Sequence, residues 1–185
     1  MCNNVQTSHL LICKGADLSR DENQLLLRVA CLSDLWKHGI IDLALRSPSI
    51  QQVLDVGFGS NKLPLLHRIA RKGSLTLFEQ VVERGANVSA LGGCGSTVIH
   101  QLLLRSSWDQ TVDKIFALCL QRVREHGGDL PVFLDLASQP GGLTALHLAC
   151  KAGRTEAIDL LLDNGACTDV QTTEGLIPLH FALQH

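Results

Sequence analysis

Residues 144–170 read TALHLACKAGRTEAIDLLLDNGACTDV, two short apolar stretches split by a glycine and closed by Gly-Ala. Thr144 stands where a hydroxyl caps a helix start by accepting a backbone N–H. Leu146, Ala149 and Cys150 then share one helical face, with small side chains that let a neighbour approach closely. Gly153 ends this first helix. From Thr155 to Asn164, Ala157, Ile158, Leu160, Leu161 and Leu162 form a stripe broad enough to face both a partner helix and the next unit. Gly165 falls at the position after a helix where a left-handed backbone suits a residue without Cβ. The stretch is a helix-turn-helix followed by an extended hairpin, and such a pair cannot bury both faces alone. It must stack on copies of itself.

Those copies are present. LPLLHRIARKGSLTLFEQVVERGANVSAL (63–91) aligns by its His, its middle Gly and its Gly-Ala, and His67 to Gly85 spans 18 residues, as does His147 to Gly165. The histidine phrase recurs as TVIHQLL (97–103) and IPLHFAL (177–183). His67 to His100 is 33 residues, His100 to His147 is 47, and His147 to His180 is 33. The middle interval therefore holds 14 extra residues, of which 9 fall between His100 and Gly127 and 5 between Gly127 and His147. The first group is expected to lengthen a helical region and the second the connection after it. Val112, Ile115, Phe116, Cys119, Leu120 and Val123 follow helical spacing, which predicts an amphipathic helix of about 15 to 18 residues ending at Gly127-Gly128.

A 33-residue period with T-x-L-H-x-A, a mid-unit Gly, an L-L-L run and a closing G-A resembles the ankyrin repeat over roughly residues 58 to 185. The resemblance implies an all-α solenoid of stacked helix-turn-helix units with hairpin loops. The units are a partial repeat at 1–20, a degenerate repeat with an insertion at 21–57, and repeats at 58–91, 92–139 (with the 14 inserted residues) and 140–172. A truncated one follows at 173–185. It further implies that Thr97, Thr144, His67, His100, His147 and His180 are structural, the His contacting the Thr hydroxyl and nearby backbone, and that Gly85 and Gly165 close the second helices. Before that comparison, four histidines spaced this way also admit a metal reading. Units stacked about 10 Å apart keep them from converging.

Ankyrin-like repeats mostly bind other proteins, so the expected function is a non-catalytic scaffold. Matched positions put the hairpin tips at 90–94, 137–141 and 170–174, and the exposed first-helix positions at Arg71, Lys72, Lys151 and Ala152. Ala90, Leu91, Cys94, Gln171 and Thr173 complete the candidate partner-binding set, with Trp108, which would be a binding hot spot if exposed beside the insertion. The basic trio Arg71, Lys72 and Lys151 fits either an acidic partner or an ordinary solvated face. The alternative function is a regulatory or targeting arm of a larger protein, such as an NF-κB-inhibitor-like factor, a ubiquitin-ligase adaptor, a channel or a kinase.

Composition agrees with a leucine-packed helical array. Of 185 residues 45% are hydrophobic, only 4% are aromatic and tyrosine is absent, so burial rests on aliphatics. Charged residues at 18% are too few for a disordered tail. No apolar run reaches the ~18 residues of a membrane span, and a formal charge of −2 gives no attraction for phosphate backbones. The partner is thus expected to be another protein, with no direct nucleic-acid binding and no membrane insertion. Seven scattered cysteines read as reduced, mostly buried thiols of a cytoplasmic or nuclear protein. Gly57 to Lys62 lacks the spacing of a phosphate loop, and Gly92 to Ser96 lies where a hairpin turns. Cys94 near His100 lacks the orienting group and oxyanion donors of a Cys/His hydrolase. No catalytic residue, metal or cofactor is expected. Both ends fall inside a repeat, HLLICKGADLS (9–19) lacking a first helix and IPLHFALQH (177–185) stopping within one, so a fragment of a longer array is expected.

Overall fold

The computed structural model describes residues 54–57, 59–72 and 74–184, with positions 10, 14, 45, 50 and 51. Ser47-Pro48 reads in the sequence as a helix N-cap and first helical position, starting a short helix with Ile50, Val53 and Leu54; most of that stretch, and nearly all of the units at 1–20 and 21–57, lie outside the described residues. Among the described residues eight helices have defined bounds: α1 (Leu65–Lys72), α2 (Leu75–Glu83), α3 (Val98–Leu103), α4 (Gln110–Glu125), α5 (Leu130–Leu134), α6 (Ala145–Lys151), α7 (Thr155–Asp163) and α8 (Pro178–Ala182). Among the described residues the only sheet-like pairing is one isolated bridge, Ser138 to Leu143.

Helices α2 to α6 each start where a side chain meets an orphan backbone donor. Ser74 accepts the Leu77 N–H at 3.2 Å, Asp109 the Val112 N–H at 3.0 Å and Asp129 the Val132 N–H at 3.3 Å. The first helices α1, α3, α6 and α8 stack side by side, and the second helices α2, α4 and α7 pack against them. Leu66, Ile69, Ile99, Leu102, Phe116, Ala149 and Leu161 are sealed between them, each large aliphatic contributing about 1.5–3 kcal/mol by leaving water. All six apolar residues expected on the amphipathic helix are buried in α4. Leu162 departs from its expected stripe, being 41% exposed at the end of α7, because the stripe is wider than the surface available to cover it.

The inserted residues go to three places. Relative to the α6–α7 unit, the loop between α3 and α4 (104–109 against 152–154) is longer and so is the second helix, 16 residues in α4 against 9 in α7. The remainder, expected to be plain connection, instead forms α5, whose Pro131 stands in the first turn, where a missing N–H costs nothing.

Loop contacts repeat with the period. Asp55 Oδ1 accepts the Asn87 N–H at 2.9 Å, and Asp135 Oδ1 accepts the Cys167 N–H at 2.8 Å. The same rung thus appears in the unit ahead of α1, where Leu45, Ile50 and Leu54 are also buried in the common core.

Candidate interaction face

The stacking of the first helices begins with the histidines. In α6 the His147 Nδ1 accepts the Thr144 backbone N–H at 3.2 Å and lies 2.8 Å from the Thr144 hydroxyl, which in turn accepts the His147 N–H at 3.5 Å. A nitrogen that accepts an N–H carries no proton, so Nε2 carries it and donates to the Leu176 carbonyl at 3.1 Å. His100 repeats this with Thr97 (3.2 and 2.8 Å) and the Leu143 carbonyl (2.9 Å). His67 reaches the Ser96 carbonyl at 3.0 Å. In all three the acceptor stands four residues before the next histidine, even across the 47-residue interval. Burial holds all three imidazoles below their ordinary range, His67 at about 4. The structural role assigned to these residues by resemblance is therefore visible as a backbone-pinning ladder.

His67 breaks the pattern in one respect. Three residues before it stands Pro64, not threonine, so neither an N–H nor a hydroxyl is available. Its buried Nδ1 has no hydrogen-bond partner.

The ladder fixes which side chains point outward. Four positions after each histidine come Arg71, Leu104 and Lys151, all exposed, Leu104 at 46%. One residue further stand Lys72 and Ala152, exposed, and Arg105, which turns inward and donates to the Ala70 carbonyl at 3.0 Å. Arg84 and Arg154 do likewise, donating to the carbonyls of Leu45 and Arg105, so arginine satisfies carbonyls that helix ends leave open. The expected face residues Arg71, Lys72, Lys151 and Ala152 thus lie on one continuous row. Sequence reasoning missed Leu104, although its register, four after His100, marks it.

The hairpins form a second row beside the helices. Gly93 donates to Asn61 (2.9 Å), Gln139 to the Cys94 carbonyl (2.7 Å) and Thr173 to the Gly141 carbonyl (3.1 Å), so successive tips are tied together. Cys94 is half-buried at a tip and Thr173 exposed at another, while Ala90, Leu91 and Gln171 lie on the approaches.

Trp108, a hot-spot candidate on condition of exposure, does not stand free on the surface. It is half-buried, its ring tilts against Phe116 at a centroid distance of 6.3 Å, its Nε1 donates to Asp113 at 2.6 Å, and the Arg154 guanidinium lies 5.8 Å from its centroid. It closes the enlarged unit from within. Of the four described cysteines, Cys119 and Cys150 are buried, whereas Cys94 is half-buried and Cys167 exposed. Burial raises the Cys119 and Cys150 thiols, away from reactive thiolate. An open hollow of about 700 Å³ lies between the loop after α2 and the last turns of α4, lined by Glu83, Asn87, Ser89, Arg122 and His126 among others. Among the described residues no three His, Cys, Asp or Glu side chains converge as a metal site, and no helix is long and apolar enough to cross a membrane.

A repeating helical pair, pinned through histidine to the following unit and edged by linked hairpins, defines an ankyrin-type solenoid. A family model described as ankyrin repeats (3 copies) matches residues 119–185, so ankyrin repeats are present in that part of the chain. The chain is also similar to the proteins named palmitoyltransferase ZDHHC13 of Homo sapiens and Pongo abelii, each 27% identical over 151 residues, and of Mus musculus, 26% identical over 150. Each match covers 70% of this chain and 24% of the relative, so the chain spans about a quarter of the length of the curated relatives it matches. Ankyrin repeats generally mediate protein–protein contact and are not themselves catalytic.

Proposed function

We propose that this chain is a partner-binding scaffold whose working surface is the row of first helices with the adjoining hairpin tips. The observation that supports this most is the exposure of Arg71, Lys72, Leu104 and Lys151 at matching positions of successive first helices, which the histidines hold in stack. Affinity capture with the wild-type chain against the triple variant Arg71→Ala, Lys72→Ala, Lys151→Ala tests it. Proteins retained by wild type are expected to be lost or strongly depleted with the variant, at unchanged thermal stability. An identical captured set from both would overturn the reading.

A second reading rests on the partial coverage of the relatives. Because this chain matches a quarter of proteins named palmitoyltransferases, it fits the non-catalytic arm of such an enzyme, presenting partners to chemistry located elsewhere. Activity of a full-length relative toward a protein substrate, measured with and without the equivalent of Arg71, Lys72 and Lys151, addresses this. A fall confined to protein substrates is expected, and no change in substrate choice would sink it.

A further inference from the structure

The small net charge conceals first helices that carry one sign only. Helices α1, α3, α6 and α8 contain Arg68, Arg71, Lys72 and Lys151 and no acidic residue, whereas α2 and α7 contain Glu79, Glu83, Glu156, Asp159 and Asp163 and no basic one. The long second helix α4 mixes both signs, Asp113 and Glu125 with Lys114, Arg122 and Arg124, so it is the first-helix side that is basic without a helix carboxylate. Along that side Arg71, Leu104 and Lys151 occupy the same register, with Arg68 and Lys72 reinforcing the α1 end. The chain across the insertion does not interrupt the row, since His100 still reaches the Leu143 carbonyl and α3 still packs on α6. At the far end the last hairpin carries Glu174, exposed, so the basic character fades beyond α6.

We infer that this face receives an extended acidic peptide segment with an apolar residue at its centre, seated on Leu104 between the cations of α1 and Lys151 of α6. The inference rests on the scaffold reading above and adds the chemistry of the partner. Stacked helices lie about 10 Å apart, and an extended chain advances about 3.3 Å per residue. One step along the row therefore matches about three residues of ligand. The recognised pattern is a pair of carboxylates, an apolar residue three positions on, and a further carboxylate three positions after that. The paired carboxylates face α1, where the cations are densest, which gives the ligand a direction. Exposed ion pairs of this kind contribute little each and are screened by salt, so affinity is modest and specificity comes from the spacing.

The test is selection from a displayed library of random twelve-residue peptides on the full chain, followed by binding measurements on the winners. Enrichment of carboxylates about three positions from an apolar residue is expected. The charge reversal Arg71→Glu, Lys72→Glu, Lys151→Glu should weaken the winners by about tenfold or more and select basic peptides instead. Leu104→Ser should weaken them by about threefold, with the salt dependence between about 50 and 300 mM kept. Winners without carboxylates that are still lost on Leu104→Ser would overturn the acidic chemistry and leave the face as the binding surface. Winners indifferent to every face variant would overturn both. No enrichment, or displacement by single-stranded RNA as effective as by the peptide itself, would also overturn the inference.

Discussion

At the scale of single residues the histidine ladder carries a defect that can be repaired. His67 has its Nε2 engaged and its Nδ1 buried without a partner, because Pro64 replaces the threonine of the other units. An unsatisfied buried acceptor costs about 1–3 kcal/mol, and Pro64→Thr supplies both an N–H and a hydroxyl. The variant gains less than the full amount, since proline also restricts the unfolded chain. We expect a net stabilisation of about 1 kcal/mol, read as a higher urea midpoint; an unchanged or lower midpoint would refute it. The reverse change where the motif is complete, Thr144→Ala, is expected to cost about 1 kcal/mol in the same measurement. These positions were legible in the sequence because a cap and its histidine stand a fixed three residues apart. The carbonyl that each Nε2 reaches was not, since it belongs to the next unit, 29 or 43 residues on.

Among the elements, α5 was the least legible. Its five residues, LPVFL, are too short for a helical period, although Asp129 with Pro131 behind it is the same kind of start signal as Ser47-Pro48. The helix matters because Pro131 leans on the turn after α7. Gly165 has φ +88, and a Cβ there would meet the Pro131 Cγ at 3.0 Å, whereas Gly85, at φ +94, would meet nothing within 4 Å. Gly85→Ala should therefore cost only the left-handed backbone penalty of about 1–2 kcal/mol. Gly165→Ala should cost more, and part of the excess should vanish in a Pro131→Ala background. Equal losses at the two glycines, or no coupling in the double-mutant cycle, would show that α5 is not seated there. The long helix α4 was read correctly because sixteen residues show their period plainly. The surroundings of Trp108 were not legible, because position beside an insertion says nothing about which way a ring turns.

For the whole molecule the buried histidines set an acid limit. Burial favours their neutral form in the folded array, so the unfolded chain takes up protons near pH 6.5 while His67 resists to about 4. Their contribution is complete above pH 6.5 and is lost as pH falls through the folded values. For His67 alone the full passage amounts to about 3 kcal/mol. Unfolding midpoints should fall between pH 6.5 and 4, and His67→Gln should flatten that fall; a parallel curve would contradict the assignment. The solenoid was legible at this scale because its marks recur, but the absence of carboxylates from the first helices was not, since net charge averages it away. The ladder also has a mechanical meaning. Among the described residues three junctions, including the enlarged one, are each closed by a histidine reaching a backbone carbonyl of the next unit, so the inserted residues hang outside the line along which tension would pass. Pulled from its ends, the array should yield in steps whose released lengths differ although the closing bond is of the same kind. The 47-residue interval would pay out about 50 Å more chain than its 33-residue neighbours.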